Sequence, residues 1–151
     1  MSGAVIMKTL LIGILWVSLS WLQPNVPQQA KIVTAAQVNG TWQSRTGTFK
    51  ILALGKQRLK VEFSGAYFYR LQDGSEMANM GEGSGIAIIE GNEATFKPGE
   101  AEEECQITMK FISGRLQVRQ EGICGFGHNV TAAGTYRKIS SRRPKFEEPE
   151  R

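Results

Sequence analysis

The sequence predicts an all-β domain: an antiparallel up-and-down meander of about eight short strands closed as a small barrel, with a β-sandwich as the alternative. Three observations predict it. Apolar residues alternate with a period of two in Arg58-Leu59-Lys60-Val61-Glu62-Phe63, in Cys105-Gln106-Ile107-Thr108-Met109-Lys110-Phe111 and in Arg115-Leu116-Gln117-Val118-Arg119. Each run therefore has one apolar face and one wet face. Turn signals recur at short intervals, at Gly55, Ser64-Gly65, Asp73-Gly74, Gly91-Asn92 and Ser113-Gly114. Beyond the N-terminal segment, no stretch holds a helical period.

The first element is a leader. Lys8 precedes Thr9 to Leu22, a run of 14 residues without charge. A membrane-spanning helix needs about 20 apolar residues, so the run fits a secretory signal better. An uncleaved anchor is the alternative. Pro24 and Pro27 end any helix. Small residues at −3 and −1 place cleavage after Ser20 or after Ala35. The expected division is residues 1–35 as signal peptide and spacer, 36–139 as a single barrel domain, and 140–151 as a polar flexible tail. Removing 1–35 takes away Lys8 and Lys31 and lowers the net charge from +4 to +2. No Lys/Arg stripe interleaved with aromatics is present, so nucleic-acid binding is not expected.

Strands follow at 39–44, 47–54, 57–63, 66–71, 85–90, 93–97, 105–111, 115–121 and 129–138. Residues 75–84, with Met77, Met80, Gly81 and Gly83, read as an irregular connection. Tyr67, Phe68 and Tyr69 alternate sides of one strand, so at least one ring is expected in the core.

The last hairpin allows a register test. A two-residue Ser113-Gly114 turn makes Ile112 and Arg115 the closing pair, Phe111 facing Leu116 and Met109 facing Val118. Cys105 then lies opposite Gly122, two residues short of Cys124. Such a diagonal spans about 7–8 Å, too long for a disulfide. An exported domain of this size favours oxidised cysteines. A Cys105–Cys124 disulfide is therefore expected, with an irregular strand end at Gly122-Ile123.

Candidate chemistry is thin. His128 is the sole histidine, and a Cys/His pair would need a free Cys124, which the disulfide removes. Two cysteines and one histidine do not supply a zinc set, and no cofactor is expected. Glu100, Glu102, Glu103 and Glu104 read as a solvated connector lacking calcium-loop spacing. Gly81-Glu82-Gly83-Ser84-Gly85 lacks the helix and the Lys-Ser/Thr of a phosphate loop. Asn39-Gly-Thr41 and Asn129-Val-Thr131 fit the glycosylation pattern, which matters only in a eukaryotic secretory route. The candidate partner-contact loop is Gly125, Phe126, Gly127, His128 and Asn129, held rigid by the neighbouring bridge.

Gly40-Thr41-Trp42 at the first strand resembles the Gly-x-Trp of the calycin group, the lipocalin-like and avidin-like barrels. That resemblance implies that Trp42 closes one barrel end against a basic residue of the last strand, Arg137 or its neighbour Lys138. The pattern Cys105…Cys124-Gly-Phe-Gly-His-Asn-Val…Gly134-Thr-Tyr136-Arg-Lys resembles small secreted bacterial β-domains, some of which suggest lysozyme-inhibitor-like roles. The expected function is a secreted or periplasmic, non-catalytic β-barrel that binds an unknown protein or a small apolar ligand. A hydrolase inhibitor is one version of it. A small exported hydrolase is the alternative from another class.

Overall fold

The computed structural model describes residues 32–98 and 105–146. The leader up to residue 31, the Glu100–Glu104 cluster and residues 147–151 lie outside the described residues. Among the described residues the elements are one helical turn, α1 (Ala35–Val38), and eight strands. The strands are β1 (Gly40–Gln43), β2 (Gly47–Gly55), β3 (Arg58–Arg70), β4 (Glu76–Glu90), β5 (Glu93–Phe96), β6 (Gln106–Ile112), β7 (Arg115–Glu121) and β8 (Gly134–Ser140). Each pairs antiparallel with the next, and β8 pairs back onto β1, so the sheet is a closed up-and-down barrel. Closure joins the two ends of the meander, while β4 pairs with β5 only at Ile88–Glu90. The sandwich alternative is thereby ruled out.

The period-two pattern fills the interior. Phe49, Ile51, Val61, Phe63, Ala87, Phe96, Ile107, Met109, Leu116 and Tyr136 are completely buried, and Trp42, Leu59, Phe111 and Val118 nearly so. Side chains thus occupy the barrel from one end to the other. The hairpin register is as the turn arithmetic requires: Ile112 faces Arg115, Phe111 faces Leu116 and Met109 faces Val118.

Three expected elements differ. The expected strands at 57–63 and 66–71 are one strand, β3. Gly65 does not turn the chain; it pairs with Gly47 on one side and Gly81 on the other. It is a glycine because the Phe63 ring occupies the space over it, where a Cβ would come within 2.5 Å of Phe63 Cζ. The expected connection 75–84 is instead the first part of β4. The strand expected at 129–138 begins only at Gly134, because Gln120 Oε1 accepts the Ala132 N–H (2.8 Å) and holds the preceding residues in a loop.

The long β3–β4 hairpin outruns the barrel. Pairing of β2 with β3 stops at Gly47–Gly65, whereas β3 and β4 stay paired out to Arg70–Glu76. Residues 66–80 therefore form a projecting arm. Its tip is closed by Asp73 Oδ1, which accepts the Ser75 N–H (2.9 Å) and hydroxyl (2.7 Å). Those hydrogen bonds lower the Asp73 pKa. Tyr67, Phe68 and Tyr69 lie on this arm rather than in the core, with Phe68 71% exposed.

Packing also extends past both expected domain boundaries. The Val33 N–H donates to Gly91 O (3.2 Å), and the Val33 side chain packs on the core. Val38 is buried, and its carbonyl accepts the Trp42 Nε1–H (2.9 Å). Beyond β8, Pro144 is buried and the Phe146 ring lies 4.5 Å from Lys60 Nζ.

Candidate functional site

An up-and-down barrel sorts its connections onto two ends. One end carries the arm, the β1–β2 link, the β5–β6 connection and the long loop 122–133 between β7 and β8. The other carries the tight turns at Lys56-Gln57, Gly91-Asn92 and Ser113-Gly114, together with the segment around α1.

The loop begins at the disulfide. The β6–β7 ladder ends at Gln106–Glu121, which leaves Cys105 opposite Gly122. Gly122 has φ +74°, a conformation open to glycine at little cost. The turn swings Cys124 back over Cys105, so the Cα atoms are 4.8 Å apart and the bridge closes. The irregularity the register arithmetic demanded is there. Both thiols are consumed, so neither can act as a nucleophile.

From Cys124 the loop crosses the barrel mouth and is fastened to β4 and to the core. Phe126 is half-buried, with its ring 5.0 Å from that of Phe63. This contact continues an aromatic row: Phe63 to Phe49 at 4.9 Å and Phe49 to Tyr136 at 5.0 Å. The glycines of β4 make room for it. A Cβ on Gly81 would meet Phe126 Cβ and Val130 Cγ1 at 2.8 Å, and one on Gly83 would meet Pro98 at 2.5 Å. The Gly127 N–H donates to Met80 O (3.0 Å), Asn79 Nδ2 donates to His128 O (2.8 Å), and the Tyr136 hydroxyl donates to Ala132 O (2.8 Å).

These contacts divide the five loop residues picked out from the sequence. Phe126 and Gly127 are anchors, turned toward the barrel. Gly125, His128 and Asn129 are exposed, and Asn129 holds φ +62°. Close to them the structure exposes side chains that the sequence pattern assigns to the core, to an irregular connection or to a strand end. Tyr67 is stacked with Tyr69 (6.3 Å) on the arm, and Tyr67, Met77, Met80 and Ile123 are exposed. The signal that could have found the anchors is glycine at alternate positions 81, 83 and 85, a pattern of a strand with one face cleared for another element, which reads in the sequence as an irregular connection.

Burial of the Tyr136 hydroxyl pushes its pKa up to about 12. The folded state therefore holds this proton more tightly than the unfolded state, where phenol titrates near 10. Its contribution is whole below about pH 10 and is lost as pH rises through 12. Stability is expected to fall over that interval, and Tyr136→Phe to flatten the fall. Denaturant midpoints between about pH 9 and 12 measure it; an identical decline in both proteins would assign it to other groups.

At the opposite end Trp42 is buried, edge-on to Phe111 at 5.7 Å. The basic residue against it is Lys138, whose Nζ sits 4.7 Å from the ring centroid and donates to Ala36 O (3.1 Å) and Gln37 O (2.7 Å). Arg137 is exposed and faces Gln43 and Arg115 across the sheet. Period two decides this: Tyr136 points inward, so residue 138 shares its face and residue 137 does not. No family model matches the chain, and comparisons with curated proteins and with solved structures returned no match.

Proposed function

We propose that the protein is an exported, non-catalytic binding module that recognises another protein through the end of the barrel carrying loop 122–133 and the β3–β4 arm. The carrying observation is a loop stapled by Cys105–Cys124 and pinned to β4, which nonetheless leaves His128 and Asn129 exposed beside the face of the arm that carries Asn79 and the exposed Tyr67 and Met77. A loop already ordered before binding loses little conformational entropy on association. Tyrosine and methionine are enriched at protein interfaces. The filled interior gives no support to carriage of an apolar ligand inside the barrel. The disulfide and the leader support an oxidising compartment outside the cytoplasm. Among the described residues, no helix is long and apolar enough to cross a membrane.

The version with the sharpest test is inhibition of a hydrolase such as lysozyme, with the loop entering the enzyme cleft. That version comes from the resemblance of the Cys105…Cys124-Gly-Phe-Gly-His-Asn-Val…Gly134-Thr-Tyr136 pattern to small secreted bacterial β-domains, and the stapled loop is the part of that pattern that would enter the cleft. In a cell-wall lysis assay the disulfide-intact protein is expected to slow lysozyme. His128→Ala is expected to weaken inhibition by about fivefold or more, the signature of an interface residue worth at least 1 kcal/mol. Lysozyme that stays fully active in excess wild-type protein would end the inhibitor version.

A further inference from the structure

The barrel end closed by Trp42 carries a second feature, remote from the loop and the arm. A cleft of about 280 Å³ opens between the α1 segment and the β4–β5 and β6–β7 turns. Gln37, Trp42, Asn92, Ser113, Arg115 and Lys138 line it, and no lining residue is acidic. Lys138 Nζ donates to two carbonyls of the α1 segment, and an ammonium has three donors, so one remains. Beside it, Arg115 and Arg137 occupy directly opposed positions of β7 and β8. Like charges so placed destabilise an antiparallel pair. The ion pairs among the described residues join Lys50 to Glu62, Arg70 to Glu76 and Lys110 to Glu93; none engages Arg115, Arg137 or Lys138. Arg115 and Lys138 thus both line the cleft without an acidic partner among the described residues, and Arg137 lies outside it on the outer face of the sheet.

We propose that this cleft binds a small organic oxyanion, a carboxylate or phosphate group carried on a compact apolar body. The planar guanidinium of Arg115 offers the oxyanion a two-pronged donor. Lys138 adds its remaining N–H. The apolar side chains of Val33 and Ile112, with the small exposed parts of Trp42 and Phe111, take the apolar body. Gln37, Asn92 and Ser113 supply neutral polar groups at the walls. The volume sets the size: it lies just under the roughly 300 Å³ at which drug-sized pockets begin, so the ligand is about one ring large. Burial lowers the Lys138 pKa, and a bound anion would relieve the cost of that buried charge.

The test titrates the disulfide-intact protein with phenyl phosphate, inorganic phosphate and sodium chloride at matched ionic strength, by calorimetry and by melting temperature. Phenyl phosphate is expected to bind and to raise the melting temperature beyond the chloride control. Inorganic phosphate is expected to bind at least about tenfold more weakly. Arg115 is exposed, so Arg115→Gln should fold. Without ligand it is expected to melt at or slightly above the wild-type temperature, because the like-charge opposition is gone, yet to bind phenyl phosphate at least about tenfold more weakly. The opposite signs of the two effects separate a binding role from a structural one. Absence of binding at about 10 mM phenyl phosphate, a shift that chloride reproduces, equal affinity for the two phosphates, or unaltered binding by Arg115→Gln would each overturn the proposal.

Discussion

Replacing Trp42 by alanine is expected to destabilise the protein by about 3–5 kcal/mol, the range for truncating a buried large aromatic side chain. That is a large fraction of the roughly 5–15 kcal/mol that holds a domain of this size folded. Several losses coincide at this position. The ring is 1% exposed and lies against Phe111 and beneath the Lys138 ammonium. Its Nε1–H satisfies the Val38 carbonyl at the end of α1, and a buried carbonyl left without a donor costs about 1–3 kcal/mol. Without the ring, the Val33–Val38 segment loses one of its supports on the core, and Lys138 keeps its two carbonyl contacts over a cavity. Urea unfolding measures the loss through the shift in midpoint. Trp42→Phe separates the contributions: it keeps most of the packing and removes the N–H, so it is expected to cost about 1–2 kcal/mol. A loss below about 1 kcal/mol for Trp42→Ala would mean that this end of the barrel relaxes around the missing ring.

The double replacement Cys105→Ala, Cys124→Ala is the second change with a large expected effect. The bridge closes a loop of sequence separation 19, and the chain-entropy treatment gives about 3 kcal/mol for a loop of this length. For a domain of this size that corresponds to a drop in melting temperature of roughly 12 °C or more. The functional consequence differs from that of Trp42→Ala because of where the loop is fastened. Phe126 on Phe63, Gly127 on Met80 and His128 on Asn79 all survive loss of the bridge. The barrel is therefore expected to persist, with amide exchange rising at residues 122–125 more than at 126–130. Any partner binding should weaken without vanishing. Uniform acceleration of exchange across β6, β7 and β8 would show instead that the bridge holds the sheet itself together.

How much of this was legible before the fold was known depends on the element. Where apolar residues alternate and a two-residue turn fixes the register, as in β6 and β7, the sequence was enough to place Cys105 opposite Gly122 and to require a distortion there. At Gly65 and at 81–85 it misled, because glycine serves two physical needs. It turns chains, and it also clears space for a neighbour's side chain. Only the position of the Phe63 ring over Gly65, and of Phe126 and Pro98 over Gly81 and Gly83, shows that the second need operates here. Tyr67 and Tyr69 misled in a related way. Their alternation is that of a strand, but the strand has left the barrel by that point, and nothing local records where the neighbouring strand stops.

The sequence by itself determined the class of the protein: alternation, turn chemistry and one pair of cysteines suffice for a stapled antiparallel β-domain, because strand period and hairpin register are local properties of the chain. Closure was decided only by the tertiary structure, since β1 meets β8 across almost the whole domain. So was the choice of Lys138 over Arg137 at Trp42, which depends on the face that residue 138 shares with Tyr136. The two candidate surfaces were decided there as well. The loop on β4, and the cations of β7 and β8 beside the α1 segment, each join residues far apart in sequence, and only folding brings such residues into contact.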